Sequence, residues 1–426
     1  MRLSSKISFL LFVLMICLSI SLIGCESEGN DIFEYRVNAN EKTCVITGLK
    51  AINNPEITIP EKIGKYTVVG IDNEAFERNN IKKIYLPNTI QSIGIGAFKD
   101  CYLLTDIIGL EECDSITAIN AETFMGCWEL TNIKLPPNTQ IIAKSAFEQC
   151  ISLQRITLSD TVTTIGESAF KECESLTSIV IPEKVKVINE YTFQLCVNLR
   201  RVTLPDGVHT INQCAFLDCE SLANINMPQS LKNIKSGAFS GCSNLVSIIL
   251  PEGMEVIESL AFGGCFSLYE VTLPSSLKQL GVMAFDSCVS LKNVYVNKDS
   301  SILTSVDGVV YSKDGLTIVF YPGGKTQKEF TIPNGVEQIE GMAFGDCQLQ
   351  VLHIPKSVKS IGMQVFYGSP LLKTINYDGT IDEWRKIEKH DRWNDDDPQY
   401  GGRTPDFTIY CTDGTIDKDG TVKYYQ

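Results

Sequence analysis

The chain has 426 residues, 44% of them hydrophobic and 21% charged, which excludes both a disordered chain and a multispanning membrane protein. Its formal charge of −14 at pH 7 repels polyanions, and no Lys/Arg run makes a local basic patch, so nucleic acid is not an expected partner. With three histidines, no C-x-x-C and no H-E-x-x-H, no metal site and no cofactor are expected.

Residues 1–24 read as an export leader. Arg2 and Lys6 supply positive charge, Ile7 to Ile23 form an apolar run, and Gly24 is a small residue before Cys25. An uncleaved anchor is the competing reading, although the run is at the short end of what spans a bilayer. Leu22-Ile23-Gly24-Cys25 resembles the bacterial lipobox, at whose cysteine the chain is cut and lipidated. That resemblance implies lipidation of Cys25 and a membrane contact made through it, each buried methylene contributing ~0.8 kcal/mol. Residues 25–31, polar and acidic, then form a short tether.

Residues 32–68 alternate with β-branched and aromatic enrichment, at Phe33, Tyr35 and Val37, then Val45, then Ile57 and Ile59 before Pro60. They are expected to form an N-terminal β cap. From residue 69 to 377 one short pattern recurs. Its phenylalanines fall at 124, 147, 170, 193, 216, 239, 262 and 285, with no variation in the interval. A fixed period in the range of ~20 to 50 residues marks a solenoid, in which a coil buries its apolar side only by stacking on its neighbours.

The coil from Cys196 to Phe216 parses physically. Leu199, Val202 and Leu204 mark a short strand, with Val202 and Leu204 inward and Arg201 and Thr203 outward by two-residue alternation. Pro205 ends it, Val208 and Ile211 carry the coil round, and Ala215-Phe216 inserts a ring beside a small residue. Ten cysteines, at 101, 127, 150, 173, 196, 219, 242, 265, 288 and 347, follow a repeat phenylalanine by three residues. They are read as buried free thiols filling a small site. Stacked coils set them roughly 5 Å apart, a distance that does not forbid a disulfide, although parallel side chains make one awkward. Asn79 and Ser369 stand where the first and last coils lack the cysteine.

The pattern L-x-x-I-x-L-P followed by I-x-x-x-A-F-x-x-C resembles the BspA-type leucine-rich repeats of bacterial surface proteins, over roughly Gly70 to Gly368 and twelve aromatic positions. The resemblance implies an α/β-type repeat solenoid, right-handed and dominated by short parallel β-strands. It also implies kinship with adhesins that bind matrix and plasma glycoproteins. It brings no catalytic residue.

Two breaks interrupt the period. The interval from Phe98 to Phe124 is longer than the regular one by three, placing a three-residue bulge within Gly109 to Asp114. The interval from Phe285 to Phe344 is far longer, and its excess, at about 297–332, contains two β runs around Lys313-Asp314-Gly315. This reads as a hairpin projecting from the coil, either a structural insert or a ligand arm. Residues 378–426 read as a C-terminal capping segment, with one or two helical turns in Ile381 to Lys389 and Trp384 and Ile387 inward. Asp417-Lys418-Asp419-Gly420 reads as a turn rather than a calcium loop, for want of a glutamate at the twelfth position.

His209, His353 and His390 stand in no motif with a nucleophile, and a ladder of similar coils offers a smooth surface, so no enzyme is expected. The expected function is recognition of an extracellular protein or glycan by a membrane-anchored cell-surface protein. The alternative is a stiff spacer that displays the C-terminal segment. The outward residues chosen as a binding face are Arg155, Thr157, Val180, Arg201, Thr203 and Asn226, a positive patch on an acidic protein with an apolar contact inside it.

Overall fold

The structure is a computed structural model that describes residues 32–50, 54–395 and 404–426; the leader 1–24, Cys25 and the tether 25–31 lie outside them. It is a β-solenoid. In a representative coil, Arg201–Thr203 pairs in parallel with Ser178–Val180 on one side and Asn224–Ile225 on the other. After the turn at Pro205, Thr210–Ile211 pairs in parallel with Val187–Ile188 and Asn233–Ile234. An arch carrying Ala215, Phe216 and Cys219 then leads back to the next first strand. Two series of parallel strands, each divided into several short sheets, and a series of arches thus build the array. Leu199, Val202, Leu204, Val208, Ile211, Ala215, Phe216 and Cys219 are all buried, while Arg201 and Thr203 are exposed, as the alternation requires.

The phenylalanines from Phe76 to Phe285 form one stack of ten rings, with neighbouring centroids 5.1 to 5.6 Å apart. The cysteines stitch the same coils together. Phe147 O accepts the Cys150 N–H at 3.2 Å from its own coil and the Cys173 thiol at 3.2 Å from the next. This thiol-to-carbonyl bond recurs from Cys101 to Cys288 at 3.0 to 3.3 Å. Ser369 takes over the role, donating to Phe344 O at 2.7 Å. All fourteen described cysteines are free.

Each regular arch holds two left-handed residues, two before and two after the ring. Around Phe147 they are Ser145 (φ 54°) and Gln149 (φ 61°). A non-glycine residue there costs roughly 1 to 2 kcal/mol, and the conformation aims N–H groups at the following coil. Ser145, Phe147 and Gln149 donate to the carbonyls of Glu167, Ala169 and Lys171 at 2.8 to 2.9 Å. The second left-handed position also couples adjacent coils. Where it is Asp100, Asp218 or Asp346, the next coil has Gly126, Gly241 or Gly368 there, and a Cβ on any of these glycines would land on the aspartate carboxylate.

The first ladder begins earlier than the pattern indicates. Glu56–Thr58, inside the expected cap, already pairs with Lys83–Tyr85. The hairpin of Phe33–Asn38 and Thr43–Leu49 covers the second ladder, joining it in parallel at Tyr66–Ile71. The bulge near Gly109 is a 3-10 turn, Leu110–Glu112, that buries Leu110.

The insertion does not project. Leu303–Val306 turns at Asp307-Gly308 into Val309–Ser312, which turns again into Thr317–Phe320, and this last strand joins the second ladder beside Gln338–Ile339. Val309, Val310, Tyr311, Ile318 and Tyr321 are buried, and the apolar core divides into two clusters at Val309 and Val310. Tyr321 fills the aromatic position of a coil that the phenylalanine pattern does not register: it lies one full period before Phe344, stacks on it at 5.4 Å, and its N–H donates to Ala343 O. The true excess therefore lies between Phe285 and Tyr321 and is smaller by one whole coil than the phenylalanines alone imply.

The array also continues past Tyr377. The helix Ile381–Lys386, with a capping box between Thr380 and Glu383, buries Ile381 and Trp384. Glu388–Lys389 extends the second ladder and Thr408–Cys411 the first, before an antiparallel meander of Gly414–Asp417 and Val422–Tyr424 closes the end.

Phe216→Ala is expected to lose about 3 to 5 kcal/mol in urea unfolding, because the cavity opens in mid-stack where neighbouring rings are fixed by their own ladders. A loss below about 1 kcal/mol would contradict this account of the core.

Candidate functional site

A three-residue strand in a parallel ladder buries its middle residue and exposes the two beside it, so the first ladder presents two rows of outward side chains. The structure places Arg155, Thr157, Val180, Arg201, Thr203 and Asn226 in these rows, all exposed, Val180 to 67%. Register puts Arg201 opposite Ser178 and Asn224, and Arg155 opposite Asn132. Arg155 and Arg201 thus stand two coil steps apart, roughly 10 Å at ordinary strand spacing.

Asn226 differs from the rest in being occupied. Its Oδ1 accepts the Leu204 N–H at 2.9 Å and its Nδ2 donates to Leu204 O at 2.8 Å. The strand Asn224–Ile225 is one residue shorter than its neighbour, and the amide replaces the missing backbone pair. This side chain is engaged in holding two coils together.

Arg200, exposed and one residue before Arg201, adds a third guanidinium that the strand alternation alone does not single out. Three other arginines among the described residues are matched with acids: Arg36 with Asp72, Arg78 with Asp100, and Arg385 with Asp382. Among the described residues no ion pair involves Arg155, Arg200 or Arg201. Further along, the same face turns apolar at Val246, Ile249 (84% exposed), Tyr269 and Tyr295, with the Lys292 ammonium 5.0 Å from the Tyr269 ring centre.

The histidines have ordinary partners: His209 Nδ1 lies 3.0 Å from Thr210 Oγ1, and His353 Nε2 lies 2.6 Å from Glu329 Oε1. His390 Nδ1 lies 2.8 Å from Asp391 Oδ1. Burial pushes the Cys101 thiol up to about 12 and raises those of Cys127 and Cys173 well above the ordinary thiol value, so the ladder sulfurs are protonated donors rather than nucleophiles. Among the described residues, no three His, Cys, Asp or Glu are grouped to hold a metal ion.

At the insertion lies a second polar cluster. The Ser287 hydroxyl is 3.1 Å from an Asp286 carboxylate oxygen and 3.0 Å from one of Asp346. Burial, then the Asp346 charge, raises the Asp286 carboxyl to about 6, and burial raises Asp346 as well.

Comparison with known proteins places the repeat in context. A family model described as BspA type leucine rich repeat region (6 copies) matches residues 50–118, 69–200, 117–245, 186–317 and 317–387. A leucine-rich repeat protein of Bacteroides ovatus is similar in fold, with a TM-score of 0.67 at 24% identity, over 90% of this chain and 100% of that one. A leucine rich cell surface protein of Faecalibacterium prausnitzii matches at 21% identity, TM-score 0.37, over 86% of this chain and 98% of that one. The leucine rich repeat protein of T. pallidum matches at 26% identity, TM-score 0.37, over 52% of this chain and 91% of that one. No curated protein matches.

The raised carboxyl of Asp286 gives a signed pH effect. Between the ordinary 3.8 and about 6 the folded state holds a proton that the unfolded chain has released, so this group lowers stability as pH rises through that window. Denaturant unfolding from pH 4 to 7 should therefore show Asp286→Asn gaining on the wild type as pH rises, the gap levelling off above about 6. A gap independent of pH would contradict the shift.

Proposed function

Because the chain belongs to the BspA-type leucine-rich repeat family, we propose that it is an exported surface protein whose first-ladder face binds an extended, acidic macromolecule outside the cell, protein or glycan. The observation that carries this reading is the concentration of Arg155, Arg200 and Arg201, exposed and without ion pairs among the described residues, on one face of a protein of charge −14. Guanidinium forks suit carboxylate, sulfate or phosphate oxygens, and Val180 between the two strands adds an apolar contact. A spacer with a separate terminal module is less well supported, since the segment after Tyr377 extends both ladders.

Anchoring in this reading is through lipid on Cys25. No helix among the described residues is long and apolar enough to cross a membrane.

Arg155→Glu with Arg201→Glu in the full-length chain should cut capture of ligand from matrix and plasma extracts at least about tenfold, the effect of reversing two charges at an interface. Captured ligand should also elute as salt rises to about 1 M, where screening shortens to about 3 Å. Unchanged capture by a folded double variant would refute the basic face. For anchoring, Cys25→Ala should leave the precursor uncleaved or release the protein from the membrane fraction; normal processing and retention would refute lipidation.

A further inference from the structure

The array loses one arch at the insertion, and the loss opens a cavity. Met283 and Ser287 are left-handed around Phe285, as Met342 is before Phe344 and Asp346 after it. Around Tyr321 neither Val319 nor Gly323 is left-handed; the chain instead runs straight as the strand Thr317–Phe320. The arches of Phe285 and Phe344 therefore face each other across the level where a third belongs. Between them lies a cavity of ≈ 420 Å³, within the ordinary range for small-molecule sites.

Its apolar lining includes Leu280, Phe285, Ile302, Val319 and Phe320, and its polar side holds Asp286, Ser287 and Asp346, with Glu340 also lining it. Lys278 lines it too, but its ammonium is held by Glu255 at 2.8 Å. Asp346 spans the missing level to accept from the Ser287 hydroxyl and backbone N–H. The Ser287 hydroxyl has one proton to offer two carboxylates, so donation to Asp346 deprives Asp286 of it.

We propose that this cavity is a binding site for a small organic monocation, a protonated amine carried on an apolar body. An ammonium has three donors and no acceptor, the complement of a carboxylate pair that shares one hydroxyl. The apolar walls suit the body of such a molecule. An anion would meet like charge at Asp286, Asp346 and Glu340, and a neutral ligand would leave the carboxylates as they are.

The test titrates the full-length chain, labelled with ¹³C at its methionine methyls, with 2-phenylethylamine, 2-phenylethanol and phenylacetate. The amine should shift the signals of Met283 and Met342, which line the cavity, and leave those of Met125 and Met227 in place. It should bind at least about tenfold more tightly than the alcohol, the ratio expected for a charge-assisted hydrogen bond. Asp286→Asn should reduce the amine to the alcohol's affinity; Asp346→Asn, which keeps the shape and an acceptor for Ser287, gives the same readout should the first variant not fold. No shift at Met283 and Met342 by about 10 mM amine, where even a millimolar site is mostly filled, would overturn the proposal. So would equal affinities for amine and alcohol, or amine binding unaltered in a folded Asp286→Asn or Asp346→Asn variant.

Discussion

The distance between neighbouring strands, close to about 5 Å in any ladder of backbone hydrogen bonds, is the constraint on which this structure depends. Two strand ladders and the arches all repeat at that distance, so each inward side chain must rest on its counterpart one coil away. A flat ring meets the demand at 5.1 to 5.6 Å. A small polarizable thiol meets it beside the ring, with its weak donor turned to the carbonyl of the preceding coil. Inward positions vary only among a few side chains that fit this spacing, such as Ala with Thr192, Val208 with Met254 and Cys347 with Ser369, while the outward ones vary freely.

Most of this was legible from letters. A phenylalanine returning at a fixed interval implies stacked coils, and the alternation in Arg201 to Leu204 assigns its faces correctly, as Trp384 does for the terminal helix. The misreadings share a cause. Tyr321 was hidden because its coil has neither a phenylalanine at the repeat position nor a ladder cysteine, with Gly324 in the cysteine's place, and strand pairing depends on backbone rather than on consensus letters. The same holds for Glu56–Thr58 and Thr408–Cys411, rungs without the motif.

At the candidate face the sequence located the rows but not the commitments within them. Arg201 and Asn226 look equivalent as outward polar residues. Only the neighbouring backbone distinguishes them, since Asn226 completes a short strand and Arg201 leaves its guanidinium to solvent. The missing arch was likewise invisible, because it follows from ordinary dihedrals at Val319 and Gly323 where a left-handed pair is the rule. Regularity fixes the scaffold, and departures from it mark where the surface becomes individual.

The aspartate and glycine that meet across adjacent arches carry this further. Asp218 sets its carboxylate where a Cβ of the next coil would lie, a space that Gly241 leaves open, and the same holds for Asp100 with Gly126 and Asp346 with Gly368. Coils that look interchangeable are therefore ordered pairs. Duplicating the Asp218 coil in tandem would set a second aspartate where the first needs a glycine, whereas copying it together with its successor would carry the match along. An array of this kind grows or shortens most readily by two coils at such points, and a designer who shuffles its modules must cut between pairs.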